Sequence, residues 1–138
     1  MGVIHHFKGS KGAWDWEGVP VHDYGNELPG VTVRRFISRQ DGSSKIEMRY
    51  FELKPGANSN LETHNYDHAV LILRGNGSVR MGNETFPVKT GDALFVPANE
   101  IHQFLAGKKE SFGFLCTIID KGLHESVYGK KNTGKQVC

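Results

Sequence analysis

Two stretches decide the reading of this chain. The first is Gly56-Ala-Asn-Ser-Asn-Leu-Glu62-Thr-His64-Asn-Tyr-Asp-His68-Ala-Val-Leu-Ile-Leu-Arg-Gly75, and the second is Gly91-Asp-Ala-Leu-Phe-Val-Pro97-Ala-Asn-Glu-Ile-His102-Gln-Phe104. In an extended chain, residues i and i+2 point the same way, so Glu62 and His64 share a face. Asn65-Tyr-Asp67 has the composition of a turn, which brings His68 back to the same place from the next strand. His102 follows a second turn, Pro97-Ala-Asn-Glu100. Three imidazoles and one carboxylate converging in this way suit one divalent transition metal: Mn, Fe, Ni or Zn. The donor types alone do not choose among these ions. An isolated Glu-x-His is otherwise common on protein surfaces, and His5, His6, His22 and His124 read as surface or terminal residues.

Working outward, short segments rich in β-branched and aromatic residues recur along the chain. They run over 31–37, 46–53, 69–73, 78–81, 85–88, 93–96, 101–105 and 112–119, and turn residues separate them. Pro55-Gly56, Gly75-Asn-Gly77 and Thr90-Gly-Asp92 supply turns through residues that tolerate positive φ. Met81-Gly-Asn-Glu84 reads as a two-residue hairpin. Helical periodicity is absent apart from a short turn around 123–128. Some eight strands at this spacing predict an all-β sandwich or closed barrel. The unbroken apolar run at 69–73 predicts a strand buried on both faces.

The 138 residues suit one domain with a real core. Hydrophobic content of 38% and charged content of 23% are those of a globular chain. A net charge of +2 gives no argument for nucleic acid as a partner. No apolar run approaches the roughly 18 residues of a membrane span, and the N-terminus lacks a signal-peptide core. Two cysteines, Cys116 and Cys138, make no disulfide framework, and a reducing cytoplasm is the expected location. Residues 1–30 read as an N-terminal extension, 31–120 as the barrel and 121–138 as a mobile tail. Trp14, Trp16 and Tyr24 in the extension are expected to pack across the barrel or into a dimer interface.

The paired stretches resemble the two motifs of the cupin superfamily, G-x5-H-x-H-x3–4-E-x6-G and G-x5-P-x-G-x2-H. Gly56, His64 and Gly75 hold their places in the first motif, and Gly91, Pro97 and His102 in the second. Three positions depart: Glu62 stands for the first His, His68 for the Glu, and Asn99 for the Gly after Pro. Glu62-Thr-His64-Asn-Tyr-Asp-His68 is similar to the H-x-H-P-W-E-H string of small bacterial and archaeal cupins that hold one metal, often manganese, on four histidines. The resemblance spans roughly residues 30–119. It implies a double-stranded β-helix, or jelly-roll, barrel and a ligand set of Glu62, His64, His68 and His102. Glu62 either ligates or swings aside for water, and once detached it can serve as a base.

By the same resemblance, Arg49, Phe104, Phe114, Cys116 and Ile118 line a substrate pocket. Cys116 is either a thiol beside the ligand cavity or a small buried hydrophobe. Glu47 and Arg49 share a face; they either enter the cavity, where Arg49 would orient an anion, or form an exposed pair worth under about 1 kcal/mol. Cupins of this size commonly pair as homodimers, with an N-terminal strand added to the partner's sheet. Two functions follow. One is a metal-dependent enzyme on a small, partly hydrophobic organic substrate, either dioxygenase-like or a Lewis-acid isomerase, lyase or decarboxylase. The other is a non-catalytic module binding a small molecule or sugar.

Overall fold

The computed structural model describes residues 2–129. Nine strands form two antiparallel sheets: β1 (Val21–Asp23), β2 (Val31–Ile37), β3 (Ile46–Leu53), β4 (His68–Arg74), β5 (Asn76–Met81), β6 (Glu84–Lys89), β7 (Ala93–Val96), β8 (His102–Ala106) and β9 (Phe112–Ile119). The larger sheet runs β1-β2-β3-β9-β4-β7 and the smaller β6-β5-β8. A helix, α1 (Lys121–Tyr128), follows β9. The arrangement is the all-β jelly-roll barrel expected above.

Alternation within strands builds the core. On β9, Phe112, Phe114, Cys116 and Ile118 are all buried at 2% exposure or less. On β3, Arg49, Phe51 and Leu53 face them, paired in register as Arg49 with Cys116, Phe51 with Phe114 and Leu53 with Phe112. Phe104 of β8 stacks on Phe114 at 4.1 Å between centroids. These rings join the two sheets, and each buried aromatic side chain contributes roughly 2–3 kcal/mol of transfer free energy.

The outward residues of β3 and β9 are packed differently. Tyr50 is fully buried beneath Trp14 and Trp16, with ring centroids at 6.1 and 4.9 Å. A Cβ on Gly113 would come within 2.0 Å of the Tyr50 hydroxyl, so that position requires glycine. The N-terminal segment turns back on itself, with Lys8 N–H to Asp15 O at 2.9 Å, and lays its tryptophans on this outer face. Arg74 pairs with Glu52 and lies 5.1 Å over the Trp14 ring, which closes the cover. The extension therefore packs across the barrel of its own chain, and β1 pairs with β2 of that chain.

Three expectations need correction. Strand β4 is not buried on both faces: its pattern alternates, with Ala69 and Leu71 exposed opposite the buried His68, Val70 and Ile72. Apolar residues sit there because the outer face of β4 and β7 carries no covering layer among the described residues. Residues 121–128 form a helix, longer than the short turn expected around 123–128: Asp120 caps it through Leu123 N–H at 2.9 Å, and Arg39 grips the same carboxylate at 2.7–3.1 Å. Lys130 to Cys138, the rest of the expected mobile tail, lie outside the described residues. His124 is buried rather than superficial, and His5 is half-buried against Asp41 at 2.9 Å. His6 and His22 are exposed as expected.

Candidate metal centre

His68 opens β4 and His102 opens β8, so each sits where its strand enters the barrel. His64 lies on the segment that connects β3 to β4. Glu62 bridges His102 directly, with Glu62 N–H to His102 O at 2.9 Å and the reciprocal bond at 2.8 Å. Residues opposite one another in an antiparallel bridge project side chains to the same face. The segment thus behaves as a short extra strand laid beside β8.

The turn after Pro97 holds this segment from the other side. Asn99 N–H donates to the His64 carbonyl at 2.5 Å, and Ala98 N–H donates to Asp67 Oδ1 at 2.8 Å. Asn99 stands at φ 69°, a left-handed conformation that asparagine tolerates better than most side chains. Replacement of the family's glycine by Asn99 therefore keeps the backbone shape.

His64, His68 and His102 form a group whose donor atoms all lie within 4.8 Å of one another. All three are buried to 1–2% exposure. The ring hydrogen bonds decide which nitrogens remain for a ligand. His102 Nδ1–H donates to the Glu100 carbonyl at 2.9 Å. His68 Nδ1 is 3.3 Å from Cys116 Sγ, and Arg49 donates to the same sulfur at 3.3 Å. The arginine can only donate, so the sulfur accepts on that side and fixes the position of the thiol. A ring that donates Nδ1–H keeps Nε2 as the lone-pair donor, as His102 does, and His68 does the same when its Nδ1–H points to the sulfur. His68 Nε2 is buried with no hydrogen-bond partner among the described residues, an expensive state unless something occupies the centre.

Electrostatics favours the same neutral form. Burial, aided by repulsion from His102 and Arg49, holds His68 down to about 2. Burial also lowers His102, against the pull of the Glu100 carbonyl. Neutral imidazoles are the metal-binding form. Three buried histidines with converging donors fit a metal ion.

Glu62 stands beside this group rather than within it, with Oε2 at 3.3 Å from His64 Nε2. Arg49 is fully buried and turned to Cys116, while Glu47 on the same strand is half-buried. Phe104, Phe114, Cys116 and Ile118 line the interior with it. Burial pushes the Cys116 thiol up, outweighing the influence of Arg49. Two residues outside the expected set also belong here. Tyr66 stacks flat on His64, at 4.9 Å and 2°, and lies 5.3 Å from His68. Beyond Tyr66 opens a cleft of about 800 Å³ between the barrel wall and α1, lined by Asn65, Phe95, Thr117 and His124. Tyr66 had a visible signal, being two residues from each of two histidines; His124, far from either motif, had none.

A cupin domain model matches residues 49–118. The chain belongs to the cupin family. Relatives agree with this. The 1-methylthio-D-xylulose 5-phosphate methylsulfurylase of Rhodospirillum rubrum is 34% identical over 114 residues, covering 81% of this chain and 73% of the relative. A crystal structure of a cupin-2 domain from Rhodospirillum rubrum superposes with a TM-score of 0.71 at 36% identity, over 76% of this chain and 72% of the other. A cupin 2 conserved barrel protein from Rhodopseudomonas palustris also gives 0.71, at 31% identity over 85% and 80%. This cupin's three-histidine cluster sits inside the span matched by the family model.

Proposed function

We propose that this cupin is a mononuclear metal-dependent enzyme acting on a small, partly apolar organic substrate that carries an oxygen donor and an anionic group. The observation that carries the proposal is the buried, unpartnered His68 Nε2, set among three imidazoles whose donors all lie within 4.8 Å. His64, His68 and His102 would hold the ion, with Glu62 as the fourth ligand. Such an ion would supply Lewis acidity toward a substrate oxygen.

The protein's own residues do the rest. Cys116 and Glu100 keep the rings of His68 and His102 oriented. Arg49, fully buried beside Cys116, attracts the anionic end of the substrate. Phe104 and Phe114 exclude water from the centre, which strengthens each of these electrostatic interactions. Glu62, at 3.3 Å from His64, would act as a base toward an acidic C–H of the substrate when it is not ligating, in an isomerase-, lyase- or decarboxylase-type step. The Rhodospirillum rubrum relative is named for a phosphorylated sugar substrate, which supports including phosphorylated ketoses among the compounds tried.

The test is to load the protein separately with Mn, Fe, Ni and Zn and follow a panel of diketones, enols, keto acids and ketose phosphates. Oxygen consumption and product formation are recorded in parallel. Turnover that disappears in His68→Ala is the expected result. Tight binding without chemical change, across every metal and compound, favours a non-catalytic binding module. We also infer a homodimer, supported by the apolar outer face of β4 and β7, where Leu71 and Phe95 are exposed.

A further inference from the structure

The C-terminal helix touches the metal centre through a residue that neither motif contains. His124 on α1 is buried at 6% exposure. Its Nε2 is 3.0 Å from the Asn65 carbonyl, which can only accept, so the ring donates Nε2–H. The same ring meets Tyr66 edge-on at 5.7 Å, and Tyr66 lies flat on His64. Asn65 follows His64 directly in the chain. The His64 backbone is thus held at two points: its own carbonyl by Asn99 N–H, and the next carbonyl by His124. Behind His124, Asp120 caps α1 and is gripped by Arg39 of the turn at Arg39–Asp41.

We propose that α1 is a working part of the metal centre and that His124 is a positioning residue for His64, acting through the Asn65 carbonyl and the Tyr66 ring. The reasoning is geometric. Residues 62–67 carry two of the four expected ligands in a segment that, among the described residues, has only one bridge to a strand, Glu62 to His102. A bridge of that length leaves the His64 end free to move unless other groups fix it. A metal site is sensitive to such movement, because groups that orient ligands typically contribute about 10–100-fold in affinity. Sequence distance does not weaken the link, since α1 leaves β9 directly beside β4. The inference rests on the proposed metal-binding role of the three histidines.

Two substitutions separate the bond from the bulk. His124→Phe keeps a ring of similar size against Tyr66 but removes the donor. His124→Gln keeps an N–H donor at comparable reach. Mn and Zn affinities are measured by titration calorimetry for the wild type and both variants. In the metal-free proteins, histidine ring resonances are followed by NMR, with the melting temperature recorded for each. The expected result is about a 10-fold weaker affinity in His124→Phe, largely restored in His124→Gln. His64 ring signals should move in metal-free His124→Phe at a melting temperature close to that of His124→Gln. Unchanged affinity with unmoved His64 signals in His124→Phe would overturn the proposal. A wild type that binds neither metal, while His124→Phe still moves the His64 signals, would retain the positioning role and reject the metal reading instead.

Discussion

Cys116 shows how much one buried atom can organise. Its sulfur receives Arg49 on one side and faces His68 Nδ1 on the other, both at 3.3 Å. Cys116→Ala removes the sulfur from both groups at once. Losing a buried hydrogen-bond partner typically costs about 1–3 kcal/mol, here most directly at His68 Nδ1, so urea unfolding should shift accordingly. Cys116→Ser, which keeps a hydroxyl acceptor, should recover part of the loss. Equal stability of Cys116→Ala and the wild type would show that neither bond matters. The histidines make a second prediction, with a definite sign. The folded state holds His68 down to about 2 and lowers His102, both chiefly by burial, whereas unfolded histidine titrates near 6.5. Between those values the unfolded chain binds more protons, so acidification destabilises the metal-free fold below about pH 6.5, by up to roughly 1.4 kcal/mol per pH unit for each group. Urea titrations at pH 7.5 and 5.5 should show a larger loss in the wild type than in His68→Gln. The same loss in both would contradict this origin.

At the scale of elements, the turn at Pro97 carries a specific test. Asn99 at φ 69° supports the His64 carbonyl through its N–H. Asn99→Gly should fold and bind metal as the wild type does, while Asn99→Ala should lose roughly 1–2 kcal/mol to left-handed strain. Strands such as β3 and β9 were legible in the sequence because alternating Arg49, Phe51, Leu53 and Phe112, Phe114, Cys116 write the barrel face into the order of residues. The hairpin at Gly82 was legible for a similar reason, since only glycine takes its φ of 63° without cost. β1 was not legible. Its three residues are all exposed and join the sheet by backbone bonds alone, which leave no mark on side-chain pattern. The double burial expected of β4 failed because an apolar run states hydrophobicity, not what covers it. The three-histidine cluster was readable from motif spacing, and Tyr66 from its place between two of those histidines; the contact of His124 depends on how α1 folds back, which no local pattern encodes.

At the scale of the whole molecule, the outer face of β4 and β7 is apolar. Phe95 is 61% exposed and Leu71 38%, on neighbouring strands of a sheet whose other outer half lies under Trp14 and Trp16. Adjacent apolar residues left uncovered in this way mark interaction surfaces. Light scattering of the wild type should give the mass of a dimer, and Phe95→Lys should reduce it to that of one chain; a monomeric wild type would reject self-association. The interior makes the larger claim. Three buried imidazoles converge inside a cupin barrel, with Glu62 and Arg49 supplying charge of either sign nearby. The most direct measurement is elemental analysis of the tag-free protein beside His68→Ala, after equilibration with Mn, Fe, Ni and Zn followed by gel filtration. One divalent transition metal per wild-type chain, and almost none in His68→Ala, is the expected result. A wild type that retains no metal, or a His68→Ala variant that retains as much as the wild type, would contradict it.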